Sequence, residues 1–221
     1  MRAVAAYFSS FLHDPQAFVV VLTIWLYGAS AGLMLLRVRR KYGHGIGLIP
    51  QQPFERWLWL ASVPLLIAWV LMPGLALQRR HEWLVIPEFV LRDPVMFWMR
   101  WLAAAGAMLS LLMVITCWLR MGQSWRVAVM PGQRTALVTE GLYASIRHPI
   151  YAFNSLLVLC SIVVVPTLPM VLVATPLVLF MLVKARREEQ FMREIHGQIY
   201  IDYCRRTGRF FPRRGPRQEA P

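Results

Sequence analysis

The sequence IYAFNSLLVLCSIVVVPTLPMVLVATPLVLFMLV, residues 150–183, runs for 34 residues without a charged side chain. At about 1.5 Å per residue, one helix of this length would be too long for a single crossing of a bilayer. Pro166 and Pro169 flank a break near the middle of the stretch, and proline disrupts a helix interior. We therefore predict two short membrane helices joined as a hairpin, which returns the chain to its starting face.

Three further apolar runs, each long enough to span the hydrocarbon core, precede this stretch. They are residues 17–36, 57–77 and 95–119. The last run contains Arg100 near its start, where a long side chain is expected to reach the interface. Residues 78–93 are too polar to cross and are predicted to lie at the membrane surface. The chain is therefore predicted to be an all-α integral membrane helical bundle of about five transmembrane helices.

Composition and charge support this class. Hydrophobic residues make up 57% of the chain and charged residues 16%, whereas soluble domains have about 25% charged residues. By the positive-inside rule, an external N-terminus leaves 19 of the 24 lysines and arginines inside and five outside. The C-terminal half is therefore predicted to face the cytosol.

The distribution of polar residues excludes several classes of function. None of the 11 acidic residues lies within a predicted span, which disfavours an ion-coupled transporter. Cys117, Cys160 and Cys204 form no set of pairs, so we predict no disulfide and no metal site. The basic C-terminal residues lack an interleaved aromatic platform, so we expect them to meet lipid headgroups and no nucleic acid.

The first informative cluster ends with Arg147, His148, Pro149 and Tyr151. Pro149 suits the first turn of the fourth span, which puts Arg147 and His148 at the N-terminal end of that helix. Unpaired backbone N–H groups and the helix dipole favour an anion there, so a carboxylate could dock. Alternatively, Arg147 anchors the helix at the lipid headgroups, and the tyrosines join an aromatic belt.

The second cluster lies on residues 184–206, which are predicted to form an amphipathic cytosolic helix. Glu188 and Glu189 are adjacent and point about 100° apart, so only one of them is expected to face a pocket. Tyr200 and Tyr203, three residues apart, share a face and either cover a ligand or seat the helix. The glutamates could equally belong to an ordinary solvated run of charges.

Together, the two clusters resemble the isoprenylcysteine carboxyl methyltransferase and phospholipid methyltransferase family of integral membrane enzymes. The resemblance covers residues 119–212 and includes 121–126, a segment similar to one in many bacterial members, which indicates a bacterial inner membrane protein. Its matching residues follow one another in the family's order: Leu137-Val138-Thr139, Gly141, Tyr143, Arg147-His148-Pro149, Tyr151, Glu188-Glu189, Gly197, Tyr200 and Tyr203.

The resemblance implies S-adenosylmethionine as cofactor, bound on the cytosolic side between the loop before the fourth span and the C-terminal helix. It divides the chain into N-terminal membrane helices (1–119), a catalytic region (120–212) and a disordered basic tail (213–221). Arg147 and Glu189 are implied as catalytic residues. The residues implied in cofactor binding are Gln133, Leu137, Val138, Tyr143, His148, Pro149, Tyr151, Glu188, Tyr200 and Tyr203.

The methyl acceptor stays open at this point. The resemblance implies a membrane lipid or lipid-anchored acceptor, with carboxyl O-methylation as the first hypothesis. A carboxylate is ionised at pH 7 and needs no base. N-methylation of a phospholipid would need Glu188 or Glu189 as base. A small hydrophobic thiol or metabolite, or a non-catalytic membrane scaffold or permease-like protein, are further alternatives. Phe153 and Cys160 stand where many members have small residues, which questions a prenyl-sized acceptor tunnel.

Overall fold

The computed structural model of the chain describes residues 14–42, 53–78, 82–121 and 137–213. Within these ranges it has seven α-helices, two short 3-10 helices and no β-strand. The prediction of an all-α membrane bundle is therefore confirmed. The helices are α1 (Pro15–Tyr42), α2 (Pro53–Leu77), α3 (Glu88–Arg92), α4 (Pro94–Met121), α5 (Pro149–Val164), α6 (Leu168–His196) and α7 (Gln198–Arg206).

Four of these helices, α1, α2, α4 and α6, are long and apolar enough to cross a membrane, and α5 is a shorter apolar helix of 16 residues. The three N-terminal spanning helices begin with proline, at Pro15, Pro53 and Pro94. Proline suits the first helical position because the N–H group there has no intrahelical acceptor. The predicted runs 17–36, 57–77 and 95–119 each lie inside one of these helices, and the run 150–183 is divided between α5 and α6, in agreement with an integral membrane location.

The predicted hairpin is formed by α5 and α6. The connection between them is three residues long, because α5 ends at Val164 and α6 begins at Leu168. The hydroxyl of Thr167 accepts a hydrogen bond from the backbone N–H of Met170 at 3.4 Å, so Thr167 caps α6. The break that the prolines predict thus lies at the expected place.

The charged C-terminal segment differs from the prediction of one helix over residues 184–206. The second arm of the hairpin continues without interruption to His196, and α7 is a separate helix. No proline or glycine lies between residues 183 and 196, so nothing ends the helix where its charges begin. Gly197, with φ of 54°, makes the break, because this backbone conformation favours glycine.

α5 packs closely against α4 through small side chains. Ala103, Ala104 and Ala107 of α4 are buried. A Cβ atom at Gly106 would lie 3.1 Å from Sγ of Cys160 on α5. Gly106 therefore leaves the space that the cysteine occupies, which is how small residues allow membrane helices to approach one another.

Arg100 does not reach the interface as predicted; it is 3% exposed. Its Nη2 donates to Oδ1 of Asp14 at 2.7 Å, and its Nε donates to the backbone oxygen of Val164 at 2.9 Å. Asp14 also accepts the backbone N–H of Ala17 at 3.1 Å at the start of α1. A buried guanidinium needs such partners, and they tie α1, α4 and α5 together at the end of the bundle where the hairpin turns.

The described part of the polar segment 78–93 runs along the bundle and does not cross it. It consists of a 3-10 helix, Glu82–Leu84, and the five-residue helix α3. Trp83 and Phe89 are exposed, whereas Leu84 and Val90 are buried. This pattern agrees with the surface segment that the sequence predicts.

Candidate functional site

The candidate site lies where the two outer ends of the hairpin meet, at the start of α5 and the end of α6. The chain approaches α5 through a 3-10 helix, Gly141–Ala144. Gly141 has φ of 63°, and a Cβ atom there would lie 2.5 Å from a guanidinium nitrogen of Arg120. The backbone conformation therefore favours glycine at this position, and a side chain here would also have to displace the end of Arg120.

After α7 the chain passes back across the start of α5 as a short segment, residues 207–211, which we call the strap. Its Gly208 N–H donates to the oxygen of Ser145 at 3.0 Å. In return, the N–H groups of Arg147 and His148 donate to the oxygens of Gly208 and Arg209 at 2.8 and 3.1 Å. The strap thus takes the backbone N–H groups of the two residues that precede α5.

The carboxylate of Glu189, near the end of α6, is buried between two arginines. Arg147 Nε donates to its Oε1 at 3.0 Å. Arg209 of the strap donates to both of its oxygens, from Nε to Oε1 at 2.9 Å and from Nη2 to Oε2 at 2.6 Å. Such charge-assisted, bidentate pairs are among the stronger hydrogen bonds in proteins. Glu189 therefore joins the strap, α5 and α6.

Arg147 is also held from its other side. Its Nη1 donates to the backbone oxygen of Cys204 at 3.1 Å and to that of Thr207. These are the carbonyls at the C-terminal end of α7, which have no partner within their own helix. Arg147 is therefore an internal connector between α7 and Glu189.

His148 lies between the two adjacent glutamates. Oε2 of Glu188 is 3.7 Å from its Nδ1, and Oε1 of Glu189 is 3.5 Å from its Nε2. Both separations exceed an ordinary hydrogen bond. The imidazole is buried, and its Nε2 makes no hydrogen bond to any residue in the described ranges. Both glutamates therefore lie beside the same ring, and that only one of them faces a pocket stays a prediction.

Aromatic side chains surround this imidazole. The ring of Tyr151 is stacked on it, with centroids 5.6 Å apart and planes at 16°, and Phe210 of the strap lies at 6.2 Å. The Tyr151 hydroxyl donates to Oε1 of Glu188. Glu188 keeps 24% of its side chain exposed, whereas Glu189 keeps 3%. Of the two carboxylates, Glu188 is the one that a ligand can reach.

Three further tyrosines form a buried base under the site. The hydroxyl of Tyr203 donates to the backbone oxygen of Tyr143 at 2.6 Å. The rings of Tyr200 and Tyr203 lie 5.9 Å apart, and both are buried. Burial raises the pKa of Tyr203 to about 12 and the pKa of Tyr143 and Tyr200 even more. These tyrosines therefore pack α7 against the 3-10 helix Gly141–Ala144.

The structure thus brings most of the predicted site residues together. Arg147, His148, Tyr151, Glu188 and Glu189 contact one another, and buried Pro149 begins α5 beside them. Leu137 and Val138 are half-buried and make no hydrogen bond to the other site residues among the described ones. Gln133 lies outside the described residues, as do residues 214–221 of the predicted tail.

Sequence reasoning missed the strap and its Arg209. Arg209 was one of ten basic residues from position 184 onward that the sequence analysis assigned to lipid headgroups. The available signal was Gly208, a glycine that interrupts a run of arginines just after a short helix. The flexible backbone of glycine is typical of turns, so Gly208 indicates a turn at this point. The partner of Arg209 can be identified only from the folded structure.

Comparisons with known proteins agree with this geometry. Residues 101–194 match the model of the Isoprenylcysteine carboxyl methyltransferase (ICMT) family. The chain is also 30% identical over 140 residues to the cobalt-zinc-cadmium resistance protein CzcN of Cupriavidus metallidurans. That alignment covers 62% of this chain and 64% of CzcN, so the chain spans less than two thirds of this relative's length.

The family match includes the core of the site and ends before the strap. Arg147, His148, Tyr151, Glu188 and Glu189 fall within it, whereas Arg209 lies beyond residue 194. The resemblance that the sequence indicates is therefore confirmed: residues 101–194 of this chain carry the pattern of the Isoprenylcysteine carboxyl methyltransferase family.

Proposed function

We propose that this protein is an integral membrane methyltransferase that uses S-adenosylmethionine and acts on a lipid-like or lipid-anchored acceptor. One observation carries the proposal. Side chains from two segments about 40 residues apart, Arg147 to Tyr151 and Glu188 to Glu189, converge on a single buried imidazole at one end of the hairpin. Titratable groups that cluster in this way are typical of functional sites.

The residues present fit the proposed cofactor. S-adenosylmethionine has an ammonium group, a carboxylate, ribose hydroxyls and a flat adenine ring. Glu188 offers a partly exposed carboxylate, and His148 offers a buried nitrogen without a partner among the described residues. The aromatic rings of Tyr151 and Phe210 lie beside the imidazole of His148. A site with a few polar groups among aromatic side chains is typical of cofactor pockets.

Each predicted residue has a role in the proposed site. Glu188, His148 and Tyr151 hold the cofactor, and Leu137 and Val138 provide backbone and apolar contacts. Four further residues pack against these groups and fix their positions: Tyr143, Pro149, Tyr200 and Tyr203. Arg147 and Glu189 shape the pocket through their ion pair. Gln133 is a further proposed cofactor ligand.

When bound, the cofactor supplies an electrophilic methyl group for an in-line displacement. The chain's own contribution is to hold the acceptor in line with that methyl and to exclude water. Glu189 is a poor proton acceptor because its oxygens already receive three hydrogen bonds from guanidinium groups. A carboxylate acceptor needs no base. Carboxyl O-methylation, the first hypothesis, therefore needs nothing that Glu189 cannot supply.

A specific observation supports a second candidate, N-methylation of a phospholipid amine. Such an acceptor must lose a proton, and Glu188 is the carboxylate that is open to it. Methylation of a small hydrophobic thiol would likewise need a base. These alternatives differ in the product that they form.

The acceptor is proposed to enter from the lipid. A groove of about 200 Å³ lies between α1 and α4 and is lined by Leu33, Met34, Ile115 and Trp118 among others. Met34 and Trp118 also pack near Ile150 and Phe153 at the start of α5. The groove is lined mainly by apolar side chains, with Ser30 and Arg37 as its polar members, and it lies at the same end of the bundle as the site, which suits a hydrophobic acceptor chain.

The site end is proposed to face the cytosol of a bacterial inner membrane. The last turn of α1 carries Arg39, Arg40 and Lys41. Val38, just before them, packs in the same cluster as the start of α5, so these charges lie at the site end. The positive-inside rule assigns such an end to the cytosol.

Calorimetric binding of S-adenosylmethionine to detergent-purified protein tests the donor half of the proposal. We expect micromolar binding to the wild type and a loss of at least tenfold in His148→Ala and Glu188→Gln. Arg205→Gln, on the exposed face of α7, is the matched control and should bind as the wild type does. No binding by folded wild-type protein would refute the proposed function.

The acceptor half is tested by incubating the protein with a membrane lipid extract and methyl-labelled cofactor. Base treatment releases methanol from a methyl ester, whereas an N-methyl or S-methyl product keeps its label. Base-labile label would establish carboxyl O-methylation. Base-stable label would replace it by one of the alternatives, and mass analysis of the product would then choose between amine and thiol.

A further inference from the structure

The guanidinium group of Arg209 is bonded to Glu189 on one side only. Its Nε and Nη2 atoms both donate to Glu189, at 2.9 and 2.6 Å. The remaining nitrogen, Nη1, makes no hydrogen bond to a residue of the described ranges. The side chain is 35% exposed, compared with 12% for Arg147. Arg209 is thus the arginine of the site that a ligand can contact.

Arg147 is unsuited to that role. It is fixed by Glu189 and by two backbone oxygens at the end of α7. A ligand could recruit it only by breaking these buried bonds, which is costly for a charged group.

The charges around His148 are arranged asymmetrically. Glu188, a partly exposed carboxylate, lies on the Nδ1 side of the ring at 3.7 Å. On the Nε2 side, Glu189 contacts two guanidinium groups, so this group of three side chains has a net positive charge. A negative and a positive region thus flank one buried imidazole whose Nε2 lacks a hydrogen bond within the described residues.

A zwitterion matches this arrangement, because its ammonium suits Glu188 and its carboxylate suits the positive side. The planar guanidinium of arginine pairs with a carboxylate more specifically than an ammonium does. We infer that Arg209 is the carboxylate-binding residue of the site and takes the amino-acid carboxylate of S-adenosylmethionine. This inference rests on the proposed function and assigns a ligand group to a residue outside the family match.

The inference has a direct test, because decarboxylated S-adenosylmethionine lacks only the carboxylate. We would measure the Kd of both compounds by calorimetry for the wild type, Arg209→Gln, Arg209→Lys and Arg205→Gln. A lost hydrogen-bonded charge pair corresponds to at least about tenfold in Kd. The wild type and Arg205→Gln should therefore prefer the intact compound by that factor.

Arg209→Gln should lose this preference, because its affinity for the intact compound falls while that for the decarboxylated compound is unchanged. Arg209→Lys keeps the charge and should retain part of the preference. The thermal midpoint of each variant shows whether it is folded.

Two outcomes would overturn the inference. Arg209→Gln could keep the wild-type preference for the intact compound. It could also weaken the binding of both compounds equally, which would mean that Arg209 only holds the strap in place. A folded wild type that binds neither compound would instead refute the proposed function itself. The two failures are therefore distinguishable.

Discussion

Arg100 and Asp14 form a buried ion pair at the end of the bundle opposite the candidate site, with Nη2 of the arginine 2.5 Å from Oδ2 of the aspartate. The two residues are 86 positions apart: Asp14 directly precedes α1, and Arg100 lies on α4. Because both side chains are only 4% exposed, neither charge can be solvated if the other is removed.

The first prediction concerns this pair. Asp14→Asn or Arg100→Met should each destabilise the protein by roughly 3 kcal/mol, since each leaves one buried charge without its partner. The double substitution should recover part of the loss. Thermal unfolding in detergent measures the effect, and Arg92→Met, in an exposed pair with Glu88, is the control that should change little. Equal midpoints for all variants would contradict the prediction.

The second prediction concerns two glycines. Gly141→Ala should destabilise the protein by about 1 to 2 kcal/mol, because φ is positive and the new methyl meets the Arg120 guanidinium. Gly32→Ala, inside α1 where nothing lies within 4 Å of the new atom, should instead be neutral or stabilising. Thermal midpoints of the two variants should therefore shift in opposite directions or by clearly different amounts.

The third prediction separates the adjacent glutamates. Glu189→Gln should lower the thermal midpoint by several degrees, because Arg147 and Arg209 both lose a buried carboxylate. Glu188→Gln should leave the midpoint nearly unchanged and weaken cofactor binding, because Glu188 is partly exposed. Scanning calorimetry and binding calorimetry on the same samples give both values. The reverse assignment of effects would refute the proposed division of roles.

The fourth prediction concerns alkaline pH. The pKa of Tyr203 is about 12 in the folded protein because the phenol is buried, and its ordinary value is about 10. The folded state thus favours the neutral form, so this contribution to stability is complete below pH 10 and is lost as pH rises from 10 to 12.

Tyr203→Phe isolates this effect. It should cost about 1 kcal/mol at pH 8 through the lost hydrogen bond to Tyr143. Between pH 10 and 12, the stability of the wild type should fall more steeply than that of the variant, because only the wild type has the phenol. Parallel curves over this range would show that Tyr203 does not contribute.

The bundle was predictable because its signals are local. A long apolar run identifies each spanning helix, and two closely spaced prolines identify the hairpin turn. The order Arg147-His148-Pro149 also predicts where α5 begins. The sequence did not predict that the membrane helix α6 continues beyond residue 183, because its end was placed where the apolar residues end. Charged residues can continue a helix equally well.

The pairings could not be predicted from sequence. Arg100 looked like an interfacial residue because its partners, Asp14 and Val164, lie far away along the chain. The same holds for Arg209, whose charge is indistinguishable in sequence from that of the neighbouring arginines. Buried ion pairs depend on tertiary geometry, so they emerge only with the fold.

The strap has a consequence for biosynthesis. Residues 207–211 follow all the membrane helices in the chain, yet they supply Arg209, Phe210 and two backbone carbonyls to the site. During translation these helices leave the ribosome before the strap does. The candidate site can therefore be completed only after residues 207–211 have been synthesised, so a nascent chain must first make the membrane helices that the structure describes.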